Sequence, residues 1–465
     1  MGAGVIGRVG NGASRRCAGQ IRLAGTPGGY ARRMHWVLGI GAAIIEPIRA
    51  DLGDIMTTNG TQAQTKPMQR VSGRTAAVQP SATMAVEGRV KQMRAAGEPV
   101  IGFGAGEPDF PTPDLIKQAA IKAINDNFTR YTETGGMAAL KEAIAARERQ
   151  NTGLDYKASQ VAAHTGGKES LYLAFQALCE AGDEVLIPAP FWVSYVEQVR
   201  LAEATPVIVP TTVRDRFKVN GELLARYTTP RTRILVLNSP SNPTGMVYTQ
   251  AELEEIAAWA RTNDVIILSD ELYDRIVFNP PYARWLRVAP DLYDRTVVIN
   301  GLSKAYAMTG WRLGYSVGPE WVIKAMLKIQ SHSNSHPTSI TQAAALAAYT
   351  HDLEAEIARM VAAFKERRDW IVAALNRIPG VNCVMPEGAF YVFPDFTGVL
   401  GKPLKYGRTC HSSEELAMYL LDTVKVGIVH GEAFGAPGCA RLSYAMGLDK
   451  IKEGVARMQD ALTCA

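Results

Sequence analysis

The sequence lacks long apolar runs and has few cysteine or histidine motifs, which are the features that indicate a membrane span or a metal site. The apolar run at 36–45 contains only ten residues, two of them glycine, and is too short to span a bilayer. The 465 residues include six cysteines, which show no Cys-x-x-Cys spacing, so neither a disulfide framework nor a zinc site is indicated. The histidine pair His332 and His336 has no third metal ligand nearby in the sequence. We therefore predict no metal site.

Excess positive charge is also scarce outside the N-terminal region. The formal net charge is +5, and residues 1–55 account for +4 of it, with seven Arg against three acidic residues. The remainder, +5 minus +4, is +1. A nearly neutral chain presents no basic field for a nucleic acid or an anionic membrane surface.

The N-terminal region has an unusual composition. Residues 1–33 contain six Arg and no acidic residue. This resembles an organellar transit peptide, but translated upstream sequence before a true start at Met56 or Met68 explains it too, and we favour that reading. We expect residues 1–55 to be a disordered extension without catalytic residues. We expect the protein to be cytoplasmic; import into an organelle is the alternative if residues 1–55 are a transit peptide.

The most informative stretch is Asn300 to Tyr315, NGLSKAYAMTGWRLGY, which follows an apolar run at 296–299 typical of a buried strand. Lys304 lies where the strand leaves the sheet. An ammonium group on an apolar floor has a lowered pKa and can form an imine with a carbonyl, and Arg312 can bind a phosphate through two parallel hydrogen bonds. The pair suggests pyridoxal phosphate. The alternative is that Lys304 and Arg312 are ordinary surface residues of a loop and a helix start.

Other polar groups follow apolar strands in the same way. Gly166 and Gly167 precede a helix whose free N–H groups would form an anion site. Asp270 follows the apolar run 265–268 and could keep a pyridine nitrogen protonated, while Tyr273 could donate a hydrogen bond to the same ring. Ser81 or Thr83 could cap a helix beginning near Met84. Residues 381–395 and 424–445 alternate in the manner of strands.

These motifs occur in an order that resembles the class I/II aminotransferases of fold-type I, and in particular the prokaryotic-type aspartate aminotransferase subgroup, from about Val71 to Ala465. The resemblance implies an α/β fold with a large domain, built on a mainly parallel seven-stranded sheet between helices, and a smaller α+β domain. It implies a homodimer with shared active sites. We expect an arm and small-domain segment at 56–104, the large domain at 105–360 and the small domain at 361–465.

The resemblance also implies roles for individual residues. Lys304 would hold pyridoxal phosphate covalently and move the substrate proton. Trp192 would stack on the cofactor ring, and Tyr131 would reach the phosphate of the neighbouring subunit. The expected cofactor-binding residues are Gly166, Gly167, Lys168, Trp192, Asn242, Asp270, Tyr273, Ser303, Lys304, Arg312 and Tyr131. The expected substrate-binding residues are Thr83, Gly106, Lys168, Trp192, Asn242 and Arg441.

The expected reaction is transamination between L-aspartate and 2-oxoglutarate, giving oxaloacetate and L-glutamate. Lys168 and Thr83 would bind the distal carboxylate, and Arg441, in a strand, the α-carboxylate unless a structural ion pair holds it. The alternative is an aminotransferase for aromatic, neutral or prephenate substrates; members of the subgroup that accept prephenate carry Lys or Arg at the position of Gln79. A lyase of the same fold and a DNA-binding regulator are further alternatives, and the latter would need a helix-turn-helix that the first seventy residues lack.

Overall fold

The computed structural model describes residues 71–279 and 281–463. The expectations for residues 1–55 and for the start site fall outside the described residues. Within the described part of the chain no helix is both long and apolar enough to cross a membrane. Helices α1 to α14 of this part span, in order, Gly73–Ala77, Ala82–Ala95, Asp114–Asn125, Ala138–Thr152, Gly167–Leu178, Ser194–Leu201, Gly221–Tyr227, Gln250–Arg261, Trp285–Val288, Glu320–Ser333, Ser339–Thr350, Glu354–Leu375, Ser413–Val424 and Leu448–Ala461.

A seven-stranded sheet organises the larger part of the fold. Strands β1 to β12 of the described residues span Ile101–Gly102, Val161–His164, Glu184–Pro188, Thr205–Val209, Thr232–Asn238, Ile266–Asp270, Thr296–Gly301, Gly314–Val317, Tyr391–Val392, Val426–Gly427, Val429–His430 and Ala440–Ser443. The strand order in the large sheet is β2-β8-β7-β6-β5-β3-β4. Strand β8 runs antiparallel to its two neighbours, β2 and β7, and the other neighbouring pairs in this sheet are parallel. The predicted α/β fold with a mainly parallel seven-stranded sheet is confirmed.

The parallel strands are apolar because helices cover both faces of the sheet. Residues of β6 and β7 are buried along their whole length. Their carboxyl ends open on one edge, where a crevice forms in sheets of this kind. Asn238 ends β5, Asp270 ends β6 and Gly301 ends β7. This edge therefore brings together side chains that are far apart in the sequence.

A second region joins the start and the end of the described chain. Strand β1 pairs in parallel with β10, and the Ser443 N–H donates to the carbonyl of Phe103 at 2.8 Å. Strands β11, β12 and β9 form a separate antiparallel sheet. Phe103 shares one hydrophobic core with residues of α12 and β12. The domain limits 56–104, 105–360 and 361–465 stay predictions.

Two local expectations are wrong. The strands at 381–395 and 424–445 are much shorter than their alternation indicated; Pro386 and Pro394 bracket β9, and proline cannot donate a ladder hydrogen bond. Ser81 is the N-cap residue of α2, but its side chain makes no capping hydrogen bond. The hydroxyls of Ser81 and Thr83 bond to each other at 2.9 Å instead, so neither is used as a cap.

Candidate active site

A cavity of about 410 Å³ opens at the carboxyl edge of the parallel strands. Its volume suits a small cofactor with a substrate. Twelve of the fourteen residues expected at the site line it, namely Thr83, Gly106, Gly167, Lys168, Trp192, Asn242, Asp270, Tyr273, Ser303, Lys304, Arg312 and Arg441. Gly166 and Tyr131 do not line it. The structure thus brings together nearly all the expected residues, and the role of each stays a prediction.

Lys304 lies on the floor of this cavity, three residues after β7 ends. Its Nζ donates a hydrogen bond to the carbonyl of Gly106 at 2.5 Å. Burial lowers the pKa of Lys304 to about 8, and the nearby positive charges of Arg441 and Arg312 add to this effect. An amine with this pKa is partly neutral near pH 7 and can act as a nucleophile or a base.

Asp270 faces Lys304 from the end of β6 and is 5% exposed. Burial raises the pKa of Asp270 to about 6, although hydrogen bonds to its carboxylate oppose the rise. The Tyr195 hydroxyl donates to Oδ2 at 2.5 Å, and the Leu272 N–H donates to Oδ1 at 3.2 Å. These donors fix the direction of the carboxylate. A buried acid held this way can pair with a protonated ring nitrogen.

Sequence reasoning missed Tyr195 and Tyr391 as members of the site. Tyr195 belongs to the same short run as Trp192 (FWVSY), and its position three residues after the predicted ring-stacking residue was the only available signal. No sequence signal pointed to Tyr391, because it lies in β9, far along the chain from Tyr273. The hydroxyls of Tyr273 and Tyr391 lie 2.8 Å apart. Burial raises the pKa of Tyr273 well above its ordinary value, so its hydroxyl stays protonated and can donate.

Arg441 is the buried cation that the sequence placed in a strand, and it is 3% exposed in β12. Its Nη1 donates to Asn242 Oδ1 at 3.0 Å and its Nη2 to the carbonyl of Gly104 at 2.8 Å. Among the described residues its Nε has no partner, and no carboxylate lies within ion-pair distance of the guanidinium. The structural ion-pair alternative therefore has no support there. A buried charge without a counterion favours binding of an anion from solution.

The opposite wall is suited to a phosphate. Helix α5 begins at Gly167. The Glu169 N–H donates to the carbonyl of Gly166 at 3.0 Å, whereas the N–H groups of Gly167 and Lys168 have no acceptor within the helix. The Arg312 guanidinium packs against Gly166, and its Nη1 donates to the carbonyl of Thr309 at 2.8 Å. A helix N-terminus next to an arginine is a favourable anion site. Together with Lys304 and Asp270, these groups fit the functional groups of pyridoxal phosphate.

Gly166 packs against Arg312 without lining the cavity, and a glycine is favoured there for two reasons that mutagenesis can separate. Its φ is +87°, and an added Cβ would lie 2.4 Å from Nη2 of Arg312. With ψ at 160°, Gly166 lies in a region that is essentially restricted to glycine, so we expect Gly166→Ala to lower stability by about 1–3 kcal/mol from backbone strain alone. The added Cβ should also displace Arg312 and weaken binding of the cofactor. Thermal unfolding and equilibrium titration with pyridoxal phosphate measure the two effects.

Gly153→Ala is the matched control. Gly153 has a φ of +81°, and no atom lies within 4 Å of the position that an added Cβ would take. A ψ of 4° places Gly153 in the left-handed region, where an alanine costs about 1–2 kcal/mol. This variant should therefore lose stability from backbone strain while its affinity for the cofactor is unchanged. Equal loss of affinity in the two variants would contradict the contact between Gly166 and Arg312 as the cause.

The mouth of the cavity carries the residues expected to select the substrate. Lys168 Nζ lies 5.1 Å from the centre of the Trp192 ring. Burial lowers the pKa of Lys168, and the charge of Arg312 adds to this effect. The salt bridges between described residues do not include Lys168, whereas Lys91, also at the mouth, lies 4.0 Å from Glu87. Lys168 is thus available to a ligand carboxylate.

Tyr131 lies outside the cavity, and 92% of it is exposed. Its ring meets the His336 ring edge-to-face, with the centres 5.7 Å apart. The imidazole of His336 in turn accepts a hydrogen bond from the Thr132 N–H at 3.3 Å. In the described ranges, His, Cys, Asp and Glu side chains form no group of three placed to hold a metal ion.

Comparison with known proteins agrees with this geometry. The sequence profile of the family "Aminotransferase class I and II" matches residues 98–458. An aspartate aminotransferase of Streptomyces avermitilis is 47% identical over 404 residues, covering 86% of this chain and 98% of the relative. An aspartate/prephenate aminotransferase of Cereibacter sphaeroides is 46% identical, covering 84% and 98%. The structure of an aspartate aminotransferase of Thermus thermophilus with maleate superposes with a TM-score of 0.79 at 37% identity, covering 84% and 99%.

Proposed function

Because this chain belongs to the class I and II aminotransferases, we propose that it transfers the amino group of L-aspartate to 2-oxoglutarate, giving oxaloacetate and L-glutamate. We propose pyridoxal phosphate as the cofactor. The observation that carries the proposal is the meeting of Lys304 with Asp270 and Arg441 in one cavity. A lysine amine of lowered pKa, a buried acid and a buried arginine that has no carboxylate partner among the described residues provide a covalent anchor, a ring partner and a carboxylate site.

Lys304, Asp270 and Tyr273 have different roles in the proposed reaction. When bound, pyridoxal phosphate supplies an electron sink that stabilises the negative charge left when an amino acid loses its α-proton. Lys304 anchors the cofactor and, once released, removes and returns the substrate proton through Nζ. Asp270 holds a proton on the ring nitrogen, while Tyr273 donates from its buried hydroxyl.

Binding energy for orientation comes from the anion sites. The N-terminus of α5 and Arg312 hold the phosphate, with Ser303 beside them on the cavity wall. Arg441 binds the substrate α-carboxylate together with Asn242, which already accepts its hydrogen bond, and Gly106 lies at the same wall. Holding the reacting groups in a fixed geometry is itself a large part of catalysis.

Selectivity for a dicarboxylate rests on a second cation. Arg441 lies on the cavity wall and Lys168 at its mouth, and Thr83 adds a hydroxyl there. Of the five cations that line the cavity, Lys304 and Arg312 are assigned to the cofactor and Lys91 lies near Glu87. Arg441 and Lys168 are left to match the two carboxylates of aspartate or glutamate. A neutral or aromatic substrate would leave Lys168 without a partner. The maleate bound by the Thermus thermophilus relative is also a dicarboxylate, which supports the proposal.

A half-reaction with single substrates tests the function. The purified protein loaded with pyridoxal phosphate is mixed separately with L-aspartate, L-glutamate, L-phenylalanine or L-alanine, and the visible band of the cofactor is followed. We expect fast conversion with the two dicarboxylates alone. Lys168→Ala should lower that preference by about 10–100-fold, the size of a hydrogen bond to a charged group.

Lys91→Ala is the matched variant, because Lys91 lines the same mouth but is 71% exposed and has Glu87 as a neighbour. It should keep the preference. If phenylalanine or alanine reacted as fast as aspartate, the aspartate assignment would fall and the cofactor site would stand. Turnover that needs no oxo acid would instead favour a lyase.

A second candidate, prephenate as an additional acceptor, is favoured by the relative from Cereibacter sphaeroides, whose name includes that activity. The feature against it is Gln79, where prephenate-accepting members carry Lys or Arg. The Gln79 N–H donates to Glu197 at 2.9 Å, and the residue does not line the cavity. Reverse half-reactions with the aminated cofactor and prephenate decide between the two.

We further propose a homodimer in which Tyr131 completes the phosphate site of the partner subunit. Tyr131 is exposed in the single chain and does not line the chain's own cavity, and both observations support this arrangement. Mixing a Tyr131→Phe protein with a Lys304→Ala protein would form heterodimers with one intact site, and their activity tests the exchange. A cytoplasmic location stays a prediction from the sequence.

A further inference from the structure

A buried arginine lies behind the cavity and has no part in the reaction described above. Arg284 immediately precedes helix α9, and its side chain is 11% exposed. Its Nη1 donates to Glu271 Oε2 at 2.7 Å, and its Nη2 donates to Asp274 Oδ2 at 2.6 Å. Both acidic side chains are 4% exposed. We call these three residues, Arg284, Glu271 and Asp274, the Arg284 clamp.

The clamp grips the chain segment that carries two residues of the active site. Asp270 and Tyr273 line the cavity, while Glu271 and Asp274 between and after them point to Arg284. The Asp274 N–H donates to the carbonyl of Glu271 at 2.9 Å and closes a turn. One planar guanidinium therefore holds both ends of the turn.

Further contacts tie the clamp to the neighbouring strand. The second oxygen of Glu271 accepts a hydrogen bond from the Ser269 hydroxyl at 3.0 Å. The Tyr282 ring lies 5.2 Å from the Arg284 guanidinium, and its hydroxyl donates to the carbonyl of Ser239 at 2.7 Å. Ser239 follows β5 and begins the turn that leads to Asn242. The network thus reaches both strand ends that supply polar groups to the cavity.

The cost of burying these charges indicates that the clamp contributes more to fixing the local backbone than to the free energy of unfolding. Burying three charged side chains is costly, and apolar residues of similar volume are often as stable or more stable. A buried polar network with its partners satisfied instead defines one arrangement of the backbone. Burial raises the pKa of Glu271 to about 7 against the opposing charge of Arg284, so the carboxylate depends on the arginine to stay ionised.

We propose that Arg284 is a positioning residue that fixes the direction of Asp270 and Tyr273 toward the cofactor ring. The inference rests on the proposed function, because it assigns a purpose to the positions of two proposed cofactor-binding residues. A lysine cannot replace Arg284 here, since its single ammonium lacks the planar fork that meets two carboxylates at fixed angles.

Arg284→Lys tests the inference, with Arg275→Lys as the matched control. Arg275 lies in the same segment but pairs with Glu354, whose side chain is 69% exposed. Two readouts are made: the Kd for pyridoxal phosphate, and, in cofactor-free protein, the hydrogen exchange of the Leu272 amide, which donates to Asp270. In metal sites, mutation of the residues that hold the ligands in place typically weakens metal binding 10- to 100-fold. By analogy, we expect Arg284→Lys to raise the Kd for pyridoxal phosphate about tenfold and to speed hydrogen exchange of the Leu272 amide. Arg275→Lys should change neither.

Unchanged Kd and unchanged exchange in a folded Arg284→Lys protein would overturn the proposal. If that variant does not fold, Asp274→Asn takes its place, because it removes one arm of the clamp without leaving a buried charge unpaired. A normal Kd and exchange in Asp274→Asn would equally overturn it. The half-reaction with L-aspartate separates the two proposals: no conversion in the unaltered protein defeats the proposed function, whereas normal conversion there with unchanged Kd and exchange in Arg284→Lys defeats the positioning role alone.

Discussion

Replacing Lys304 by alanine is expected to lower the transamination rate by at least about 10⁴-fold, the upper range of general acid–base catalysis by a single side chain. The variant also loses the covalent anchor for pyridoxal phosphate, so the visible band of the bound, covalently attached cofactor should be absent. Steady-state rates with aspartate and 2-oxoglutarate, and absorbance spectra, measure both effects. Lys324→Ala is the control, because Lys324 is 71% exposed and pairs with Glu320 on helix α10.

The lowered pKa of Lys304 gives the same prediction a pH dependence. Only the neutral amine attacks an aldehyde, so in cofactor-free protein the rate of covalent capture should rise about tenfold per pH unit and level off near the pKa. With the pKa at about 8 instead of 10.5, the plateau should begin near pH 8. A rate that continues to rise to pH 10 would contradict the burial of this amine.

Replacing Arg441 by leucine is expected to lower kcat/KM for aspartate by about 10²–10⁴-fold, because loss of one member of a buried charge pair costs about 3–5 kcal/mol. Stability should respond differently. In the ligand-free protein the guanidinium has two neutral acceptors and no carboxylate among the described residues, so its removal relieves an uncompensated buried charge. We expect an unfolding temperature equal to or above that of the unaltered protein, measured without substrate.

Arg368→Leu provides the comparison, because Arg368 is as deeply buried at 5% exposure but has a carboxylate partner, Asp369, at 2.6 Å. It also donates to the carbonyl of Pro386 and lies 4.6 Å from the centre of the Phe278 ring. This variant should lose stability and keep its KM for aspartate. Should Arg441→Leu prove the less stable of the two, its charge is structural and not reserved for substrate.

The sequence predicted most of the cavity because the chemistry of this site lies in short motifs at strand ends. Apolar runs before Asp270 and Lys304 marked buried strands, and parallel strands share one carboxyl edge. That rule brings distant polar groups together without any knowledge of their contacts. Arg441 could be singled out because a charge inside an apolar strand needs a partner. The pairing of β1 with β10, in contrast, has no comparable signal in the sequence.

Residues that act through other residues were not predictable. Tyr391 meets Tyr273 only because β9 of the antiparallel sheet packs against the turn after β6. Arg284 reaches Glu271 and Asp274 from a loop ten or more positions further along, and an Arg in a loop resembles any solvated charge. The hydroxyls of Ser81 and Thr83 were expected to cap α2, but they bond to each other, a choice between competing local hydrogen bonds that composition does not decide.

The sequence by itself determined the α/β class and the mainly parallel sheet, because strand burial shows in local patterns. The order of its motifs, through their resemblance to a known family, supplied the list of groups at the carboxyl edge. Tertiary structure decided the quantities that make those groups reactive. Burial lowers the pKa of Lys304 and raises that of Asp270, and it leaves Arg441 without a carboxylate among the described residues. These properties depend on how much solvent and which charges surround a side chain, and neither is defined until distant segments pack together.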